Sequence, residues 1–459
     1  MNSERNKNYF FTSFLTLLLS AGAFCAFKAF LPESLFAKPI NDYKDEDIVI
    51  ESEGDNDNLM LIAMVEPAKA EIDNTAVIEV EYAPFDGLSR FFQKLFTLEK
   101  TKKGSVRIAY FGDSMIEGDL IVQDVRKGYQ KKFGGQGIGF IPLSSQFSYL
   151  GGSIKFEYSP EWDTYSNFIA KKSPTSLGVS GFVSLTNPGA SVWTHYKSGY
   201  LPIVSPTIFY GYSSNKDAKM TITTSNGTTA PIQLKPNGIL NKYSVASYSN
   251  ELKIQFDNAD SIPFYGVNFS GSSGVNIDDF SLRGNAGLSL GSLNVALMNA
   301  FQREFDYDLI VLQFGMNVLK IRPGTTKYDW FADKMVNVVN HLKKCFPGAD
   351  ILVISQSDKA VKYGMEMKSD TTLTALIRAQ EKYARNTGSA FIDLYQMMGG
   401  EGSMVKWASE TPPLIQADFA HFNARGAKKI GNLIFEKLDQ EYENFKIKNN
   451  LHEEKDENK

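Results

Sequence analysis

Cysteine and histidine are both scarce in this 459-residue chain. Two cysteines, Cys25 and Cys345, exclude a disulfide framework and a zinc site built on thiolates. Four histidines, His195, His341, His421 and His452, leave a short set of candidates for an imidazole base. An excess of one charge is also missing. With 48 Lys and Arg against 52 Asp and Glu the net charge is -4, without the basic surplus by which nucleic-acid binders are recognised. Apolar runs long enough to span a bilayer are lacking beyond the N-terminal segment, which excludes a polytopic membrane chain. The sequence contains no P-loop, no G-x-G-x-x-G after a strand and no metal-ligand spacing, so neither a cofactor nor a metal is expected.

What is present begins with an export signal. Arg5 and Lys7 precede an uncharged stretch from Asn8 to Phe27, closed by Lys28. Residues 1–34 are read either as a membrane-spanning anchor or as a signal peptide cut near Ala21-Gly22-Ala23. Apolar residues continue past that site, which favours the anchor. Residues 35–83 read as a linker: eight carboxylates and one lysine between Asp42 and Asp57 repel one another. Residues 447–459 form a charged tail containing His452. The expected location is the periplasm or cell envelope.

The folded part starts near Pro84. Leu88, Phe91, Phe92, Leu95 and Phe96 recur at helical spacing ahead of the apolar run VRIAYFG. Further apolar runs at 308–314, 350–355 and 390–394 alternate with amphipathic stretches at 329–345, 370–386 and 423–442. Such alternation predicts a parallel sheet covered on both faces, hence an α/β domain from 84–145 and 271–446. Between them, residues 146–270 hold 16 charged and 20 aromatic residues and no helical period. Short alternating runs such as KMTITT and ELKIQF, separated by Asn-Gly and proline turns, predict an inserted antiparallel β-sandwich. Its aromatics, Trp162, Tyr165, Trp193, Tyr196, Tyr210 and Tyr212, are read mainly as core, with sugar stacking as the alternative.

Chemistry concentrates where strands end. In open α/β sheets ligands sit outside the carboxyl ends of the strands. VRIAYF ends in Gly112-Asp113-Ser114-Met115, with a helix expected from Asp119. Ser114 there is either a nucleophile or part of a helix cap. Asp418-Phe419-Ala420-His421 precedes the last helix, and its spacing lets Asp418 orient His421 while the other ring nitrogen serves as base. Capping is again the alternative. The Gly284 amide and the Asn317 carboxamide, in loops after two strands, add donors to the Ser114 amide for an oxyanion hole. Gln356 and Lys359 follow another strand and are candidate substrate contacts, as is His195 from the insertion. His341 is expected on a helix surface.

These blocks resemble the SGNH (GDSL-type) hydrolases. GDSM carries Ser114, the glycine block Gly284, GMN Asn317, and DFAH Asp418 with His421. The resemblance implies a three-layer α/β/α, flavodoxin-like sandwich. It also implies that Ser114 is the nucleophile, His421 the base, Asp418 its orienter, and Ser114, Gly284 and Asn317 the oxyanion hole. Met115, Val318 and Phe422 replace the leucine, aspartate and proline common at those positions. The stretch from Gly112 to Phe140, the long gap before Gly284 and the MGGEGSM segment look like exported bacterial proteins related to peptidoglycan O-acetylesterases. The implied substrate is an O-acetylated polysaccharide. An O-acetyltransferase using the same acetyl-serine, and a non-catalytic glycan-binding protein, remain alternatives.

Overall fold

The computed structural model describes residues 84–145, 153–166, 172–198, 203–246, 248–321 and 324–451. The expected anchor or signal, the acidic linker and His452 lie outside the described residues. No helix among the described residues is long and apolar enough to cross a membrane.

Five parallel strands form the centre: β1 (Ser105–Gly112), β2 (Gly274–Ser281), β3 (Tyr307–Gln313), β4 (Asp350–Ile354) and β5 (Ala390–Ile392), in the order β2-β1-β3-β4-β5. Six longer helices accompany them: α1 (Ser89–Thr101), α2 (Val122–Phe133), α3 (Val295–Phe305), α4 (Asp329–Cys345), α5 (Leu373–Thr387) and α6 (Ala424–Lys448). Side chains alternate across each strand, so β3 sends Leu309 and Val311 to one face and Ile310 and Leu312 to the other. The first face packs on α1, α2 and α6, and the second on α3, α4 and α5. Burial on both faces is why these strands read as unbroken apolar runs rather than alternating ones. The result is the expected three-layer α/β/α sandwich.

One expected helix starts late. After Gly112 the chain makes a 3-10 turn at Glu117–Asp119, and α2 begins only at Val122. Gly118 and Asp119 both have positive φ, 74° and 65°, which breaks a helix that the pattern alone would start at Asp119. Ser114 therefore sits on a turn, not on the first turn of a helix.

The antiparallel part forms two six-stranded sheets. One contains Ile154–Tyr158, Ser191–Ser198, Lys219–Thr224 and Glu251–Asp257; the other Trp162–Ser166, Phe182–Thr186, Thr207–Tyr210 and Phe264–Asn268. Phe140–Ile141, ahead of the expected boundary at 146, already pairs with Phe264–Asn268. Between the sheets lie Val192, Tyr196, Ile222, Ile254, Phe256, Ile208, Phe264 and Val267. The second sheet is apolar on its other face too. Phe209 and Tyr265 there pack edge-to-face on α3, with ring centroids 5.1 Å from Phe305 and 5.6 Å from Phe301. Trp162, Tyr165, Tyr196 and Tyr210 are buried, Lys253 lies over Trp193, and Tyr212 is exposed.

A buried ion pair stands where the insertion joins the sheet. Arg107 of β1 donates through Nε and Nη2 to Asp278 of β2 at 2.8 and 2.7 Å, and through Nη2 to Asn268 Oδ1 at 2.8 Å. Asp278 also accepts from the Phe140 amide at 2.9 Å and the Tyr307 hydroxyl at 2.6 Å. Removing one member strands the other charge in the interior. Asp278→Ala should therefore cost about 3–5 kcal/mol in urea unfolding; a loss below about 1 kcal/mol would show that the junction does not depend on the pair.

Candidate active site

β1 and β3 lie side by side near the middle of the sheet, and their carboxyl ends open the crevice typical of this strand order. Ser114 follows β1 and His421 precedes α6, and the fold brings them together across 307 residues. Ser114 Oγ is 2.9 Å from His421 Nε2. His421 Nδ1 is 2.6 Å from Asp418 Oδ2. An ionised Asp418 only accepts, so Nδ1 carries the proton and Nε2 is left to accept from the Ser114 hydroxyl.

Local geometry explains why this loop holds its shape. Phe419 adopts φ 54°, a conformation that costs a non-glycine residue on the order of 1 kcal/mol. That kink lets Asp418 Oδ1 accept from the Ala420 and His421 amides at 3.1 and 3.0 Å while Oδ2 faces the ring. Burial raises the Asp418 carboxyl, but these donors and the imidazole outweigh it and hold the group below its ordinary range. Asn423 clamps the loop from behind. Its Oδ1 accepts from the Arg425 and Gly426 amides, capping α6, and its Nδ2 donates to the Pro413 and Ile415 carbonyls. A Cβ on Gly426 would lie 1.9 Å from the Leu414 carbonyl oxygen, so only glycine allows that approach.

The opposite wall is built from the loops after β2 and β3. The Leu282 amide donates to the Gly112 carbonyl at 2.8 Å, which sets the Gly284 loop beside the Ser114 turn. Asn317, on the short helix Met316–Ile321, donates through Nδ2 to the Asn285 carbonyl at 3.0 Å and lies 3.5 Å from Asp113 Oδ2. Among the described residues no acceptor takes the amide N–H of Ser114 or Gly284. No cluster of His, Cys, Asp and Glu among the described residues has the arrangement of a metal site.

No family model matches the sequence, and no curated protein matches it. Solved structures do. That of a peptidoglycan O-acetylesterase aligns with a TM-score of 0.63 at 18% identity, over 77% of this chain and 96% of its own. The chain shares that structure's fold. A family two carbohydrate esterase from Cellvibrio japonicus aligns at a TM-score of 0.25 and 10% identity, over 63% and 99% of the two chains.

Within this fold the remaining candidates have other partners. Gln356 is 3% exposed and packs its side chain against Gly315, with its amide held by Gln380 Oε1. Lys359 Nζ stands 3.7 Å from Asp370. His195 lies on the outer face of its strand, 3.3 Å from Glu251. His341 is not a free surface group: its Nε2 meets the Leu293 carbonyl at 2.8 Å.

Two residues that the motifs do not single out organise the candidate site. Gln380 of α5 donates to the Phe314 carbonyl at 2.6 Å besides holding Gln356, tying the loops after β3 and β4 together. Its place on the apolar side of an amphipathic helix was the only signal. Asp113 is 1% exposed and accepts from the Met115 amide at 3.0 Å. Burial pushes its carboxyl up to about 6, against the pull of the Met115 and Gly315 amides and of His421.

A carboxyl raised on folding binds its proton more tightly in the native state, so its contribution to stability falls as pH rises from about 4 to about 6. The stability of the wild type relative to Asp113→Asn should decline by up to about 3 kcal/mol across that window and stay flat above pH 7. Urea unfolding at stepped pH checks this; a difference that rises with pH would contradict it.

Proposed function

We propose that the protein is a serine esterase that removes O-acetyl groups from an extracytoplasmic polysaccharide such as peptidoglycan. The observation that carries the proposal is the continuous hydrogen-bonded line from Ser114 Oγ through His421 to Asp418. Likeness to an O-acetylesterase in fold supports the substrate class, and the reading of residues 1–34 as an anchor or signal segment agrees with action outside the cytoplasm.

In this reading Ser114 Oγ attacks the acetyl carbonyl carbon while His421 Nε2 takes its proton. The oxyanion is held by the Ser114 and Gly284 amides and by Asn317 Nδ2. The tetrahedral species then expels the sugar oxygen, which leaves with the proton from His421. Water, deprotonated by His421, attacks acetyl-Ser114, releasing acetate and restoring the serine. Asp418 orients the ring and stabilises its charged form. The His421 side chain is 27% exposed and that of Asp418 46%, so water can reach the group that would deprotonate it for deacylation.

Acetate release from an aryl acetate and from O-acetylated peptidoglycan tests the proposal. Ser114→Ala should lower kcat by on the order of 10³-fold or more with an unchanged circular dichroism spectrum. Wild-type turnover by that variant would refute it. Acetyl captured by added glycan instead of released as acetate would mark a transferase. Asn317→Ala should lower kcat by about 10²–10³-fold on both esters; a rise in KM alone would remove it from the oxyanion hole.

A further inference from the structure

One buried carboxylate takes no part in the mechanism above. Asp358 lies in the loop after β4, is fully buried, and is met by neutral donors. Its Oδ1 accepts from the Lys359 amide at 2.9 Å. Its Oδ2 accepts from the Met404 amide at 2.8 Å and from the hydroxyls of Ser369 and Ser403 at 3.0 and 3.3 Å. A carboxyl group taken out of water is tolerated only where donors meet it, so these bonds stand or fall as a set.

The donors come from two pieces of chain. Lys359 and Ser369 stand at the base of a hairpin in which Ala360–Tyr363 pairs with Glu366–Ser369, and Ser403 and Met404 open the short helix Ser403–Ser409. The glycines of the MGGEGSM segment bring the two together. Gly399, Gly400 and Gly402 have positive φ, at 113°, 71° and 78°, and the turn they form delivers the Gly402 amide to Ser369 Oγ at 2.7 Å. Both pieces then reach the loop that carries His421. The Ala360 amide donates to the Phe419 carbonyl at 2.9 Å. That carbonyl shares a rigid peptide plane with the Ala420 amide, which donates to Asp418 Oδ1. The helix contributes through Trp407: its carbonyl accepts from the Leu414 amide at 3.1 Å, and its ring centroid lies 5.7 Å from that of Phe422. Phe419 keeps its left-handed conformation because its surroundings hold it there.

We propose that Asp358 is a positioning residue for His421. By clamping the hairpin to the Ser403–Ser409 helix it fixes the Phe419–Ala420 peptide, and through that peptide Asp418 and the imidazole beside Ser114. Its effect on turnover rests on the esterase reading, whereas its hold on His421 does not.

Asp358→Asn keeps the shape of the side chain but puts an amide nitrogen where one oxygen accepted, so a donor faces a donor. In the full chain its kcat on an aryl acetate should fall about 10- to 10²-fold, with KM within about twofold of wild type. The proton NMR resonance of His421 Nδ1–H, held against Asp418 at 2.6 Å, should broaden or vanish as the loop loosens. Ser369→Ala removes one donor to Asp358 and the acceptor of the Gly402 amide. It should lower kcat about threefold or more, and it carries the test if Asp358→Asn fails to fold. Phe419→Gly separates positioning from a general loosening. Combined with Asp358→Asn, it should lower kcat no further than the worse of the two single changes, because both act on one peptide. Three results would each overturn the assignment: kcat within about twofold of wild type in both Asp358→Asn and Ser369→Ala, losses that multiply in the double variant, or an unchanged His421 resonance in Asp358→Asn. Wild-type protein inert on every ester would sink the esterase reading alone, and the resonance would still decide the role of Asp358.

Discussion

Asp278 gathers four donors in the interior: two from Arg107, one from the Phe140 amide and one from the Tyr307 hydroxyl. Arg107 in turn reaches Asn268 and lies over the Phe305 ring at 4.1 Å from its centroid. Phe140 is where the chain leaves the sheet for the antiparallel strands, and Asn268 is where it returns. One buried carboxylate thus joins β1, β2, β3 and both ends of the insertion. Charges at this depth are tolerated only when every donor and acceptor is met. That requirement ties both ends of the sandwich to the sheet at one point.

The junction matters because the insertion is not an appendage. Its second sheet is buried on both faces, against the first sheet on one side and against Phe301 and Phe305 of α3 on the other. Rigid seating brings Ser180 and Phe182 over the edge of β2, beside the turn that carries Ser114. A flexibly tethered domain would leave that edge open to water.

At the site itself, polar groups are held in pairs that span loops. Leu282 to Gly112, Asn317 to Asn285 and Gln380 to Phe314 link the ends of β1, β2 and β3. The loop bearing Asp418 and His421 is shaped instead by its own amides and by Asn423. The two halves meet at Ser114 and His421, and the Ala360 amide beyond β4 also donates to the Phe419 carbonyl at 2.9 Å, so Ser114 is placed by the sheet and His421 by a helix cap together with the loop after β4. Asp113, buried between Met115 and Asn317, couples the serine turn to the opposite wall.

The sequence by itself determined the parallel sheet and its helices, because strands buried on both faces must be apolar throughout and helices on one face must repeat every three to four residues. The stretch 329–345 matches α4 at both ends for that reason. It also singled out Ser114, His421 and Asp418, which the fold then brings within hydrogen-bonding distance of one another. Tertiary structure alone decided where polar groups find partners. Lys359 meets Asp370 and Gln356 packs against Gly315, although their positions after a strand suggest substrate contacts. Positive φ at Gly118 and Asp119, not the hydrophobic pattern, delays α2. Hydrogen bonds act over about 3 Å while their members here lie up to hundreds of residues apart, so no local pattern encodes the pairing.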